Sequence, residues 1–385
     1  MPGMRLPLPL PRRIKIRREP RLADIWIMQR WPIESLDACK MADPPFADIN
    51  GVGAVLERLV DQVVAGRGGI YIIVGAPGSG KSTLLKTLHN RLRRGGIYSL
   101  YMDTAGRSLD DFVASLCSIL GCREVSLDSL MERIREKAAE EGTMALLLDD
   151  IDRISGGNMD DVGKLLTGLT AVQREIGRGL FIAFSMARES LARLTLDPLM
   201  RGLVKSYMEV IDLDEHLVNS PTDLSRLLYA HFERARPPNP DPKAAAILNR
   251  YPLHPIRDQN VINMLYEILG TDTPRMYLEK VDELLRIAIR ARSRVVSIAH
   301  LNILARRLIQ ARREAVPITQ IQVMLVRRYV NGLIAGGLVV LGTVAITLAA
   351  INLVPPGLKL PYVVVGLVLM LAGILVHMRS IARPG

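Results

Sequence analysis

Gly75, Gly80, Lys81 and Ser82 stand in the spacing G-x-x-x-x-G-K-[ST] within Gly75-Ala76-Pro77-Gly78-Ser79-Gly80-Lys81-Ser82-Thr83, and each residue type has a physical task there. Gly75, Gly78 and Gly80 let the backbone take turns that a side chain forbids, so that successive N–H groups point inward at an anion. A helix beginning near Lys81 adds its positive N-terminal end to the same place. Lys81 can reach the β- and γ-phosphates of a nucleotide, and the Ser82 hydroxyl can take one position on Mg²⁺. The apolar run Gly69–Val74 before the loop and the helical Leu84–Leu88 after it are the strand and helix that such a phosphate-binding loop requires.

A second group of chemistry-bearing residues lies downstream. The apolar run Met144–Leu148 ends in Asp149-Asp150-Ile151-Asp152-Arg153. A buried strand that delivers adjacent carboxylates at its tip is a Walker B pattern. Asp149 is expected to hold Mg²⁺, directly or through water, while Asp150 orients and polarises the attacking water. A further buried run, Leu180–Ser185, also ends in a polar side chain.

Stepping outward from these residues, apolar positions recur at helical spacing over Val52–Val64, over Leu109–Leu120, over Leu127–Glu141 and over Met159–Ile176. Strands are expected at Ile70–Val74, Ile97–Asp103, Met144–Leu148, Leu180–Ser185 and Val204–Ile211, with Ala187–Leu203 helical or turn-like around Pro198. Strands alternating with helices in this rhythm imply an α/β fold, a parallel sheet with helices on both faces. Residues 215–310 read as a helical lid, with apolar periodicity through Leu224–Phe232, Ala244–Leu248, Val261–Leu269, Met276–Ala288 and Ile298–Leu308. Residues 23–46, with Trp26 and Trp31, are expected to pack across the nucleotide domain without contributing chemistry.

The order of these elements, carried by Gly75–Thr83, Asp149–Asp152 and the strand ending at Ser185, resembles the AAA+ ATPases, and among them the archaeal replication-initiator (origin recognition) and ExeA-like branch. The resemblance covers about Val52 to Arg307. It implies ATP and Mg²⁺ as ligands, ATP hydrolysis as the reaction, and a homo-oligomer. It implies that Ser185 is sensor 1, the polar residue between the two Walker motifs that helps to position water. Arg201 stands where such families carry a finger arginine that acts on a neighbour's nucleotide; a surface salt bridge is the alternative reading. Arg275, in the turn Thr271–Arg275 that enters a lid helix, stands where the sensor 2 arginine reads the γ-phosphate. Two departures from these relatives are visible: Asp150 replaces the usual glutamate, and the winged-helix DNA reader that follows an initiator lid is missing.

Of the 385 residues, 49% are hydrophobic and only 4% aromatic, which excludes a disordered chain and indicates an aliphatic core. Cys39, Cys117 and Cys122 fall in no zinc-ligand or paired-disulfide spacing, so the compartment expected is a reducing cytosol. The net charge of +11 suits nucleic acid and the anionic face of a membrane equally. Residues 1–46 open with a basic, proline-rich arm carrying no secretory signal, residues 47–214 form the ATPase domain, and residues 311–331 are a basic linker.

Leu333–Ile351 is a run without a charge, and Pro361–Val376 is a second one bounded by Lys359 and Arg379. A hydrocarbon core of ~30 Å is crossed by about 20 helical residues, so residues 332–378 are expected to form a transmembrane hairpin. Arginines flank both of its outer ends while the connecting loop carries only Lys359, which places both termini and the ATPase domain in the cytoplasm, with residues 379–385 as a tail. The expectation is therefore a membrane-anchored AAA+ ATPase that hydrolyses ATP to remodel or assemble a partner the sequence does not disclose. Two alternatives stand beside it: a membrane-tethered DNA-binding initiator or partition-type ATPase, and a nucleotide-switched membrane scaffold with little turnover.

Overall fold

The computed structural model describes residues 25–315 together with residues 365 and 367. The basic arm over residues 1–22 and, apart from those two positions, both apolar runs expected to cross a membrane lie outside the described residues. Among the described residues no helix is long and apolar enough to cross a membrane. The chain divides into two compact units at Leu304 and Ala305, and the sheet belongs to the first.

Its centre is a five-stranded sheet in the order β2-β3-β4-β1-β5, with β1 at Gly69–Val74, β2 at Tyr98–Asp103, β3 at Met144–Asp149, β4 at Leu180–Met186 and β5 at Met208–Asp212. Every pairing is parallel, with Ile70 opposite Ile182 and Met208, and Leu146 opposite Leu100 and Ile182. The strands are apolar on both faces because both faces are covered. Ile70, Ile72, Leu146, Leu148, Ile182 and Phe184 face a core shared with α3 (Leu109–Leu120), α4 (Leu127–Glu141) and α5 (Met159–Ile176). Their neighbours Tyr71, Ile73, Ala145, Leu147, Phe181 and Ala183 face α1 (Val52–Val64) and α2 (Lys81–Arg94). The period-2 alternation of a strand thus serves two cores at once.

The last strand is shorter than the sequence suggests. Val204–Tyr207, expected to open it, completes a helix instead: α6 (Arg188–Leu194) is followed by α7 (Pro198–Tyr207), and β5 starts only at Met208. Asp197 caps α7 by accepting the Leu199 N–H, and Pro198 sits at its first turn, where a missing N–H costs nothing. Met200 and Val204, four apart, are the face of α7 buried in the core beside α5, and helix packing overrides the β-branched local preference of Val204.

The lid consists of α8 (Pro221–Ala235), α9 (Pro242–Arg250), α10 (Gln259–Leu269), α11 (Pro274–Arg290) and the start of α12 (Ile298–Ala315). The helix α8 packs on α10 and α11. Residues 26–49 run across both layers as a strap. On the lid side, the Trp26 indole N–H donates to the Ser293 carbonyl (2.9 Å), the Trp31 indole N–H to Asp282 (2.5 Å), and the Gln29 N–H to the Ala235 carbonyl (2.9 Å). On the sheet side, the Lys86 ammonium on α2 donates to the carbonyls of Ala38 (3.1 Å) and Met41 (2.6 Å).

Candidate functional site

A cleft of about 790 Å³ lies between the tips of the parallel strands, the strap and the lid. Pro77, Gly78, Ser79, Gly80, Lys81, Ser82 and Thr83 line it, joined by Asp103, Asp150, Asp152 and Arg153 from the neighbouring strand ends and by Arg275 from α11. The strap contributes Ser35, Leu36, Pro45 and Phe46. This is the carboxyl end of an open α/β sheet, the usual place for a ligand.

The loop Gly75–Gly80 leaves β1 and enters α2 at Lys81. Gly78 has φ +87°, and a Cβ there would stand 2.5 Å from the Cβ of Arg275. Only glycine satisfies both the left-handed backbone and the close approach of the lid. The Arg275 N–H donates to the Gly78 carbonyl (3.3 Å), and its guanidinium donates to the Leu36 carbonyl of the strap (3.2 Å). Loop, lid and strap therefore meet at one arginine.

Lys81 is buried, and its ammonium donates to the carbonyls of Gly75 (2.8 Å) and Ala76 (3.1 Å). Burial lowers its pKa, opposed by the charges of Asp150, Asp149, Asp152 and Asp214. Ser79 is buried as well, and its hydroxyl has no hydrogen-bonding partner among the described residues. A buried hydroxyl without a partner in a glycine-rich loop is suited to a phosphate oxygen.

Asp149 is fully buried at the tip of β3. The Ser185 hydroxyl donates to one of its oxygens and the Tyr101 hydroxyl to the other (2.8 Å). Ser185 also accepts the Asp150 N–H (2.8 Å), and the Thr104 hydroxyl donates to the carbonyls of both Asp149 (2.9 Å) and Asp150 (2.8 Å). Ser185 is itself fully buried, and its hydrogen bonds hold the two aspartates in place.

Asp150 sits in the left-handed region, φ 52°, a conformation that an aspartate tolerates better than most residues. Burial is the main cause that raises its pKa, reinforced by the charge of Asp149, and the Arg153 guanidinium 3.4 Å away pulls it back. Asp152 is buried beside it and accepts the Ala187 N–H (3.0 Å).

The structure thus brings the loop from Pro77 onward, Lys81, Ser82, Asp150 and Arg275 to one cleft, with Asp149 fully buried next to Asp150 and, like Ser185, not among the lining residues. Arg201 stands apart: it is exposed on α7, does not line the cleft, and donates to the Thr195 carbonyl (2.9 Å). Several cleft residues carry no sequence signal. The strap packs across the nucleotide domain as expected, and it also forms one wall of the cleft. His216 and His231, which also line the cleft, are isolated histidines in the sequence. Asp152 alone had a visible signal, as the third carboxylate of the acidic run.

Residues 64–194 match the family model of the AAA domain. That stretch begins at the end of α1 and holds the phosphate loop, the Asp149–Asp152 run and β4. Among solved structures the chain is similar to Cdc6p from Pyrobaculum aerophilum, at 16% identity and TM-score 0.47, covering 66% of each chain. It is also similar to the ORC2 protein of Aeropyrum pernix, solved as ADPNP-ADP complexes, at 15% identity and TM-score 0.48, covering 92% of this chain and 90% of that one. The structure of Drosophila ORC bound to DNA matches at 16% identity and TM-score 0.46, covering 83% of this chain and 75% of that one. The search of curated proteins found no match.

Proposed function

We propose that the chain binds ATP in this cleft and hydrolyses it slowly, as a cytosol-facing AAA+ switch or motor anchored to a membrane by its C-terminal apolar runs, and that it acts on a partner through changes of the lid. The observation that carries the reading is the convergence of the phosphate loop, the Asp149–Asp150 strand tip and Arg275 on one cleft. Lys81, the Ser79 hydroxyl and the loop amides that remain unengaged hold the phosphates. Ser82 and Asp149 fit Mg²⁺, since both supply hard oxygen donors, and the Ser185 and Tyr101 hydroxyls fix the Asp149 carboxylate in place. Such an ion, when bound, neutralises charge that develops on the phosphates.

Asp150 is the acceptor placed to orient the attacking water, and a raised pKa makes it a better proton acceptor than an ordinary aspartate. Its ion pair with Arg153 supports a second reading, a nucleotide-switched scaffold with little turnover: the carboxylate must leave that partner, and it is one methylene shorter than the glutamate usual in the resembling ATPases. Asp150→Asn separates the two. Trapped ATP with turnover lost fits a water-orienting role, whereas unchanged turnover removes Asp150 from the reaction.

The decisive test of the whole reading is Lys81→Ala in the full chain, with ATP binding and phosphate release both followed. Turnover at the wild-type rate would sink it. The anchor is tested by removing Leu333 to the end, which deletes the apolar runs and no nucleotide motif. The shortened chain is expected to leave the membrane fraction, any electrostatic remnant washing off with salt at about 1 kcal/mol per basic residue. Retention through a high-salt wash overturns the anchor. Dependence of turnover on protein concentration, lost in Arg201→Ala, is the outcome expected if Arg201 serves a neighbouring subunit's site in a homo-oligomer.

A further inference from the structure

The turn that follows β5 touches the phosphate loop from behind. Ala76, the second residue of the loop, donates its N–H to Asp214 (2.7 Å), in the turn Leu213–His216. A Cβ built on Gly75 would stand 3.2 Å from the same carboxylate oxygen. Asp212, two residues earlier, fixes that turn by accepting the Asp214 N–H (2.9 Å). The other oxygen of Asp214 faces the Arg188 guanidinium at 3.2 Å, and Arg188 pairs with Asp212 as well. Arg188 is the first residue of α6, and its neighbour Ala187 is tied through its N–H to Asp152.

A carboxylate is a strong acceptor for a backbone amide, but here it is an unusual choice. The loop it supports is the part of the protein suited to a triphosphate, and a second negative charge behind it acts against binding. A neutral acceptor would hold Ala76 without that repulsion. The charge does reach the site, because Asp214 is among the groups whose field raises the Lys81 pKa against the effect of burial. One cation contacts both aspartates, so the trio carries a net charge of −1 rather than −2.

We propose that Asp214 and Arg188 form a charge-balanced clamp on the phosphate loop: Asp214 positions the loop by holding the Ala76 amide, and Arg188 cancels the charge that Asp214 would otherwise direct at bound ATP. Both are positioning residues, and the inference rests on the reading that the loop binds the phosphates of ATP. The clamp makes nucleotide affinity a function of the net charge of the trio. Arg188→Ala takes it to −2, Asp214→Asn to 0 with the acceptor kept, and the double variant returns it to −1. Arg188→Lys leaves it unchanged.

The experiment is the equilibrium affinity of the full chain for a fluorescent ATP analogue at several salt concentrations, with thermal unfolding recorded for each variant. Arg188→Ala is expected to weaken binding about threefold to fivefold at low salt, as for a half-exposed charge, and the deficit should shrink as salt rises. Asp214→Asn should bind at least as tightly as wild type, and Arg188→Ala/Asp214→Asn should return to within about twofold of wild type. Asp214→Ala, which loses the acceptor, should bind more weakly than Asp214→Asn at every salt concentration.

A merely structural bridge predicts the opposite order, with the double variant at least as impaired as Arg188→Ala. That order, or an Arg188→Ala variant as tight as wild type, overturns the clamp while leaving the nucleotide reading intact. A wild-type chain that binds no nucleotide overturns both. If Arg188→Ala does not fold, the comparison of Asp214→Asn with Asp214→Ala and Arg188→Lys decides the matter: equal affinities and equal salt dependence across the three overturn it.

Discussion

The two walls of the cleft are built on different plans. The phosphate wall is a contiguous run, Pro77–Thr83, whose local sequence sets its geometry. The opposite wall is assembled from the strap and the lid, which come from residues 26–49 and 216–290 and meet only in three dimensions. The first wall is suited to an anion common to every nucleotide. The second, with Leu36, Pro45, Phe46 and backbone carbonyls, is suited to the rest of the molecule. On the proposed reading, affinity for phosphate and discrimination among phosphate-bearing ligands would be separable properties, one set by each wall.

The strap wall can be broken most severely at its anchor. Trp26 is almost fully buried and its indole N–H is satisfied by Ser293. Trp26→Ala is expected to cost about 3–5 kcal/mol of stability, read by chemical unfolding of the full chain. It should also weaken ATP binding while inorganic triphosphate binds as before. Equal loss for both ligands would show that the walls are not separable.

Acid is the next largest perturbation, and it too falls on the strap and lid. His231 and His254 are buried, and burial lowers the pKa of each from 6.5 to about 4; the Pro32 carbonyl of the strap accepts from His231, and the charges of Arg257 and Arg236 add to the shift at His254. The folded state therefore favours neutral imidazole. Stability from each is complete above pH 6.5 and is lost as the pH falls from 6.5 toward 4, by up to about 3 kcal/mol per histidine. Unfolding measured between pH 7 and 4 should show that slope, and His231→Phe should flatten part of it. An unchanged slope would mean that other groups govern acid unfolding.

On the phosphate wall, Lys81→Ala should cost about tenfold to a hundredfold in affinity, the value of hydrogen bonds to a charged ligand. ATP and inorganic triphosphate should suffer alike. The smallest effect sharpens the boundary between the walls. Lys86 belongs to the helix of the phosphate loop but holds strap carbonyls, so Lys86→Met should behave as a strap variant, with about a threefold change in ATP affinity and none for triphosphate. A matching change for both ligands would assign it to the loop.

Much of the fold was legible in advance because its signals are local. The helices Val52–Val64, Leu109–Leu120, Leu127–Glu141 and Met159–Ile176 begin and end where periodicity and glycines place them. The error at Val204–Tyr207 has a tertiary cause: those residues have strand preferences, and it is the burial of Met200 and Val204 beside α5 that keeps them helical. That the strap packs across the nucleotide domain was legible, but its place in the cleft wall was not. Its ties to Ser293, Asp282, Ala235 and α2 span long stretches of chain, and no periodicity records a contact at that separation.

What the sequence determined by itself is the phosphate loop, the acidic strand tip and the α/β alternation, because each follows from residues that are neighbours in the chain and from the backbone geometry they permit. Only the tertiary structure decided the strand order β2-β3-β4-β1-β5, the placement of Ser185 beneath both aspartates, the meeting of Arg275 with Gly78 and Leu36, and the contact of Asp214 with Ala76. These depend on which faces are buried together, a property of the whole core rather than of any segment, and the same burial sets the charge environment in which Lys81 and Asp150 would act.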